Sequence, residues 1–248
     1  MDQKVLYLGD TALGRAASYL AGILDHERVV FDYVPSDRKF TDELLASKVK
    51  AIVISDYPSI RFSKLQLLNI AKRVSGGMGL IMIGGWESFT GCAGGYNKTV
   101  LADVLPVRMS EQDDRVNYYA PCVIKQNISH PIVDSVPFKQ HPACIAGYNR
   151  VEAKATAQII LSVEKYRITE AEAEFDFERE QMDPLLIASE HGKGRVLAYA
   201  GDVAPHWAGG LVDWGDKRMT LKASGADEVE VGNWYIRFFS NLVHWVCQ

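Results

Sequence analysis

No apolar run in this 248-residue chain approaches the roughly 18 residues that a membrane-spanning helix needs, so no membrane partner is expected. Charge of one sign is also scarce. Lys and Arg number 27 against 31 Asp and Glu, a net charge of −4, which removes the main electrostatic argument for nucleic acid. Cysteine is sparse too: Cys92, Cys122, Cys144 and Cys247 lie far apart, and no two have the close spacing of a zinc or redox motif. They read as reduced thiols of a cytosolic protein. Met1-Asp2-Gln3-Lys4 runs straight into Val5-Leu6-Tyr7-Leu8 with no basic flank, long apolar stretch or cleavage site, so no secretion signal is expected. There is no low-complexity linker and no internal repeat, and one domain over 1–248 is the simplest division. Hydrophobic residues at 48% and charged residues at 23% describe an ordinary globular chain.

The first third alternates two kinds of signal. Lys4–Leu8, Val29–Val34, Ala51–Ser55 and Leu80–Ile83 are short apolar runs, as buried parallel strands would be. Between them, Leu13, Ala16, Ala17, Leu20 and Leu24 recur on one helical face, with Thr11 as the expected N-cap. Thr41–Ser47 has the look of a short capped helix. Ser63 and Gln66 form a capping-box pattern, with Leu67, Ala71 and Val74 as the buried face and Gly76-Gly77 as the stop. Four strands joined by such crossovers predict an α/β fold with a doubly wound, mostly parallel sheet. Further strands are expected at Val116–Lys125, Gln158–Val163, Leu185–Ser189 and Val196–Ala200. Tyr235, Phe238, Phe239, Leu242 and Val246 give the last helix a long apolar face.

Residues 164–182 hold an acidic β-arm or edge strand. Glu170, Glu172, Glu174, Asp176, Glu178 and Glu180 take every even position, while Ala171, Ala173, Phe175 and Phe177 take odd ones. In extended chain that pattern makes one side acidic and the other apolar. It serves either as an edge strand or hairpin arm whose acids discourage aggregation or as an arm burying Phe175 and Phe177 in a homo-oligomer.

Familiar chemical motifs fail one by one. Gly9-x4-Gly14 has phosphate-loop spacing, but Arg15 and Ala16 replace the Lys and Ser/Thr that such a loop needs, and Thr11 stands where a dinucleotide fingerprint needs its middle glycine. No cofactor is expected. No metal site stands out, since Asp202 and His206 lack a third ligand. What remains is position: in a doubly wound sheet, ligands bind beyond the carboxyl ends of the strands. Asp10, Asp56, Gly84, Gly85, Trp86, Ser88, Asp202 and Trp207 are the candidate ligand-binding residues there, and His206 and Glu87 the candidate acid–base pair. In this reading the backbone N–H groups of Gly84 to Trp86 hold an anionic part of the ligand, and Trp86 and Trp207 wall the site. The same acids could instead cap helices, with the two indoles packing.

Gly84-Gly85-Trp86-Glu87-Ser88-Phe89, Gly94-Gly95-Tyr96, the run Thr99–Val107, His130-Pro131-Ile132, Gly147-Tyr148-Asn149, Gly192–Val196 and Asp202–Trp207 together resemble the putative glutamine amidotransferase family of class I glutamine amidotransferase-like proteins. The resemblance spans essentially the whole chain and implies a flavodoxin-like three-layer sandwich. It also implies a Cys on the turn after the Leu80–Ile83 strand and a later His to activate it. That turn reads Gly84-Gly85-Trp86, His206 matches the later His, and Ala208 stands where the family's acid would follow. The expectation is a cytoplasmic class I amidotransferase-like protein without the nucleophile Cys, binding or acting on a small polar metabolite, since a His without a thiolate cannot form the acyl intermediate. Two alternatives accompany it: an amidase or hydrolase using Ser88 or Cys92 with His206, and a non-enzymatic oligomeric scaffold.

Overall fold

A computed structural model describes residues 4–45, 48–172 and 174–248. In chain order the elements are β1 (Lys4–Gly9), α1 (Ala17–His26), β2 (Phe31–Val34), β3 (Val49–Ser55), α2 (Lys64–Ser75), β4 (Gly79–Ile83), α3 (Leu101–Val104), β5 (Val107–Met109), β6 (Arg115–Gln126) and β7 (Cys144–Asn149). The second half adds β8 (Val151–Ala153), β9 (Gln158–Ala171), β10 (Glu174–His191), β11 (Gly194–Tyr199), α4 (Pro205–Ala208), β12 (Arg218–Leu221), β13 (Val229–Gly232) and α5 (Asn233–Val246).

The described strands form a nine-stranded sheet in the order β2-β1-β3-β4-β11-β10-β9-β6-β7. Strands β2, β1, β3, β4 and β11 pair in parallel, as their uninterrupted apolar runs dictate. From β11 onward every pairing is antiparallel, so only half of the sheet is parallel. The reason lies in the connections: a tight turn at Gly192 (φ 61°) joins β10 to β11, and no helix intervenes to carry the chain across. The core is one cluster running from Val5 to Cys247, and α5 contributes Tyr235, Phe238, Phe239, Leu242 and Val246 to it.

Local signals account for α2 fully. The Ser63 side chain accepts from Gln66 N and Gln66 Oε1 accepts from Ser63 N, closing the capping box at 3.2 and 2.8 Å. Thr11 is not the N-cap of α1. It sits at φ 65°, the helix begins only at Ala17, and Ala16 precedes it without a side-chain cap. The expected helix over 41–47 is a 3-10 turn over Asp42–Leu45, and its last two residues lie outside the described residues.

The acidic segment is not one continuous strand. It divides between the end of β9 at Ala171 and the start of β10 at Glu174, with Glu172 at φ 51° between them. Ala173 lies outside the described residues. Glu170 consequently pairs opposite Phe175 and shares its face, whereas Asp176 and Glu178 face the other way with Thr169 and Arg167.

The far edge of the sheet bends back. Strand β7 stands five places from β4 in the sheet order, yet Asn149 N donates to Ala200 O at 2.8 Å and its side chain bonds Gly85. The antiparallel half therefore closes over the carboxyl ends of β4 and β11. Among the described residues no helix is long and apolar enough to cross a membrane.

Candidate functional site

The carboxyl ends of β1, β3, β4 and β11 meet, and the turns after β1 and β3 each deliver a carboxyl group from the left-handed region. Asp10 (φ 51°) and Thr11 (φ 65°) follow β1, and Asp56 (φ 47°) follows β3. Non-glycine residues in the left-handed region are uncommon and persist where the surroundings over-determine them. Gly85 (φ 152°) follows β4, and a Cβ there would stand 2.1 Å from Asp56 Oδ1, so only glycine lets the two turns approach this closely.

Three carboxyl groups sit in this junction. Asp10 is buried, with Tyr7 Oη donating to its Oδ2 and Ser55 Oγ to its Oδ1 at 3.0 Å. Burial and the neighbouring Asp56 charge push Asp10 up to about 8. Burial pushes Asp56 up to about 6, against the N–H of Glu87, which donates to Asp56 Oδ1 at 2.7 Å, and a further bond from the N–H of Trp86. Asp202, also buried, is raised well above the ordinary carboxylate range by burial and then by the charges of Asp10 and Asp56. Its Oδ1 accepts from Ala204 N at 2.8 Å, just before α4. Burial thus favours the protonated form of all three carboxyls. Among the described residues no group of three or more His, Cys, Asp or Glu is arranged to hold a metal ion.

The turn after β4 is stitched from behind. Gly84 N donates to Tyr199 O (2.8 Å) and Gly201 O (2.9 Å), and Gly85 N to Asn149 Oδ1 (2.8 Å). Of the N–H groups expected to hold an anion, those of Gly84 and Gly85 are thus occupied inside the protein. Ser88 is buried, and its Oγ accepts from Asp56 N at 3.0 Å. Trp207 does not wall an open site. It is 1% exposed, donates from Nε1 to Asn117 Oδ1 at 2.7 Å, and lies on Gly147, where a Cβ would be 2.4 Å from the indole.

Trp86 is the exposed indole, at 44%. The His206 ring stands edge-on to it at 5.8 Å, and the Arg115 guanidinium lies over its face at 4.6 Å. Cys92 is exposed and lies behind this patch, its Sγ donating to Trp86 O at 3.2 Å beside a separate cavity of about 410 Å³. Glu87 points the other way, into a cavity of about 420 Å³ beyond β1, β2 and β3 that Thr11, Ser36, Arg38 and Arg61 also line. Burial raises the Glu87 carboxyl, and Arg61 opposes the rise. Arg61 Nε donates to Ser36 O at 2.8 Å. Among the described residues neither guanidinium nor Glu87 forms an ion pair.

Of the expected residues, Asp10, Asp56 and Asp202 therefore meet. Trp86 and His206 meet on one side of the loop, and Glu87 faces a cavity on the other. Sequence reasoning missed Arg38, Arg61 and Arg115, and also Asn149, although it lies in the Gly147-Tyr148-Asn149 motif. The strand-end rule would have found Arg38 and Arg61, which follow β2 and β3 by a few residues.

Residues 56–222 match the family described as "Putative glutamine amidotransferase". The chain belongs to this family. Among solved structures it is similar to the cytoplasmic protein STM1381 from Salmonella typhimurium LT2, at 27% identity and TM-score 0.73 over 98% of this chain and 99% of that one. A second Salmonella typhimurium cytoplasmic protein, STM3548, is similar at 26% identity and TM-score 0.72, over 98% of each. A putative GMP synthase protein from Thermoplasma acidophilum, 11% identical with TM-score 0.51 over 100% and 94%, shares the fold alone. No curated protein matches in sequence. The mixed α/β sheet described above is consistent with the class I amidotransferase-like fold.

Proposed function

We propose that this chain is a cytoplasmic, single-domain amidotransferase-like protein that works without a nucleophilic Cys and binds a small polar metabolite in the crevice beyond the parallel strands. The observation that carries the reading is the cavity where Glu87, Asp37, Arg38 and Arg61 face a common space with no ion pair among themselves. Charged groups left unpaired in a concave site are ready to pair with a ligand. Glu87, its carboxyl raised by burial, is the proton-handling group, and the guanidiniums hold the ligand's anionic end. His206 with Trp86 forms the rim on the far side of the loop.

Thiol chemistry would need free N–H donors to stabilise an oxyanion at the turn after β4, and those of Gly84 and Gly85 are engaged. Strand order β2-β1-β3-β4 with helical crossovers α1 and α2 on opposite sides of the switch supports a doubly wound, flavodoxin-like parallel half. The two Salmonella relatives described as cytoplasmic proteins support the location.

Thermal-shift screening against small carboxylates, phosphates and amines tests the site. Glu87→Gln, Arg61→Ala and His206→Ala are expected to change which compounds stabilise the protein; an unchanged profile in all three sinks the assignment. Ammonia release from glutamine that Cys92→Ser abolishes would establish the thiol alternative instead.

A further inference from the structure

Among the described residues, strand β9 has no partner beyond Lys165 but β10, because β6 pairs with it only through Cys122–Gln126. Strand β10 in turn meets β11 only from Leu186 onward. Tyr166–Ala171 and Glu174–Gln181 therefore project as a two-stranded arm. An isolated two-stranded ribbon is marginal in water unless one face is covered.

The register sorts the arm's residues. Arg179 stands opposite Tyr166, Phe177 opposite Ile168, and Phe175 opposite Glu170, so these three rungs share one face. Phe175 and Phe177 are 61% and 58% exposed there. Asp176 and Glu178 lie on the reverse face, where Arg167 pairs with Glu178 and Glu180 at 3.5 and 2.9 Å. The acids thus leave the apolar face almost alone. It carries one cation toward its base, Arg179, and one anion at its tip, Glu170.

We propose that this face docks on the same face of a second copy, the two arms running antiparallel about a two-fold axis through the Ile168–Phe177 rung. The sequence of rungs is self-complementary in that orientation. Ile168 and Phe177 meet their own counterparts, and the Arg179–Tyr166 rung covers the Phe175–Glu170 rung of the other arm. Arg179 then stands over Phe175 of the second copy, diagonally across the rung from its Glu170, twice over. Arranged in parallel, the arms would instead bring the two Arg179 side chains together diagonally in one pair of rungs and the two Glu170 side chains in another. The charges select the closed two-fold pairing, in which the same patch serves both partners. Arg179 already contacts Glu164 at 3.3 Å, but its side chain is 63% exposed and a guanidinium has donors to spare.

Two phenylalanines exposed to this degree present about 240 Å² of ring-bearing surface, taking about 200 Å² for each. Even with the flanking side chains the pairing stays under about 1,200 Å² in total, the class of weak interfaces. The dimer is accordingly concentration-dependent.

Sedimentation velocity on the full chain from about 1 to about 200 µM tests this. A monomer–dimer equilibrium is expected, and Phe175→Ser with Phe177→Ser should leave monomer throughout. Glu170→Arg alone and Arg179→Glu alone should each weaken dimerisation about tenfold or more, and the two together should restore it to within about threefold. The double exchange separates pairing from folding, since a merely damaged arm gains nothing from a second substitution. A wild-type chain that stays monomeric overturns the proposal, whatever other protein covers the arm. So does an oligomer with an odd number of copies, one indifferent to the two Phe changes, or a double exchange that fails to recover.

Discussion

Asn149→Ala asks whether one buried amide holds the turn that carries Trp86 and Glu87. Asn149 is fully buried at the end of β7. Its Oδ1 accepts from Gly85 N at 2.8 Å, and its Nδ2 donates to Gly85 O at 3.1 Å and to Asp114 Oδ1 at 2.7 Å. Asp114 keeps its bonds from Thr90 N (3.1 Å) and Gly91 N (2.9 Å) after the substitution, so the main loss falls on Gly85. A buried donor and a buried acceptor left without partners cost about 1–3 kcal/mol each; allowing for partial relaxation, the expected loss is about 3 kcal/mol. With a urea slope of about 3 kcal/mol/M, the unfolding midpoint should fall by about 1 M. Amide exchange at Gly85–Glu87 should accelerate alongside it. Asn149→Asp keeps an acceptor for Gly85 N but places a second carboxyl beside Asp114, so its deficit should grow as pH rises. If Asn149→Ala unfolds within about 0.5 kcal/mol of wild type, the turn is held by something else and the stitching described above is wrong.

Asp10, at about 8 in the folded chain against an ordinary 3.8, retains its proton on folding over that window, so wild-type stability should fall as pH rises from about 4 to about 8 and then level off. Asp202 acts with the same sign. Asp10→Asn should flatten this fall in urea titrations at pH 5 and pH 8, and parallel curves for the two proteins would refute the assignment. The hydroxyl of Tyr199 is buried with no hydrogen-bond partner among the described residues, so Tyr199→Phe should raise stability by about 1 kcal/mol; a clear loss on calorimetry would mean that the hydroxyl is satisfied. Gly147→Ala drives a Cβ to 2.4 Å from Trp207 Cδ1, and a change in indole fluorescence with a loss of about 2 kcal/mol is expected. An unshifted spectrum and midpoint would show that Trp207 sits elsewhere.

The parallel half of the fold was legible because its signals are local. Runs such as Leu80–Ile83 must be buried on both faces, and the Ser63–Gln66 box writes its own helix start. The antiparallel half was less so. Strand β7 has neither alternation nor a long apolar run, and β5, β8, β12 and β13 are only three or four residues long. A hairpin arm was one of the readings, but where it turns was hidden because the acids continue at even positions straight through the turn, and a period of two carries no mark of direction. At the site, Asp10 and Asp56 could be placed from strand ends alone. Trp207 could not, since nothing in its neighbours shows that Gly147 leaves room beneath it.

The pairing of β4 with β11 also bears on how the chain comes off the ribosome. Strand β4 is complete at Ile83, but its partner begins at Gly194. Until then the fully apolar Gly79–Ile83 has a neighbour on one side only, β3. At 5–20 residues per second, making residues 84–193 takes on the order of 10 s, during which that edge is open to any extended chain. Nascent chains stalled in this interval should therefore be the ones that chaperones hold, and those that emerge past Tyr199 should be released.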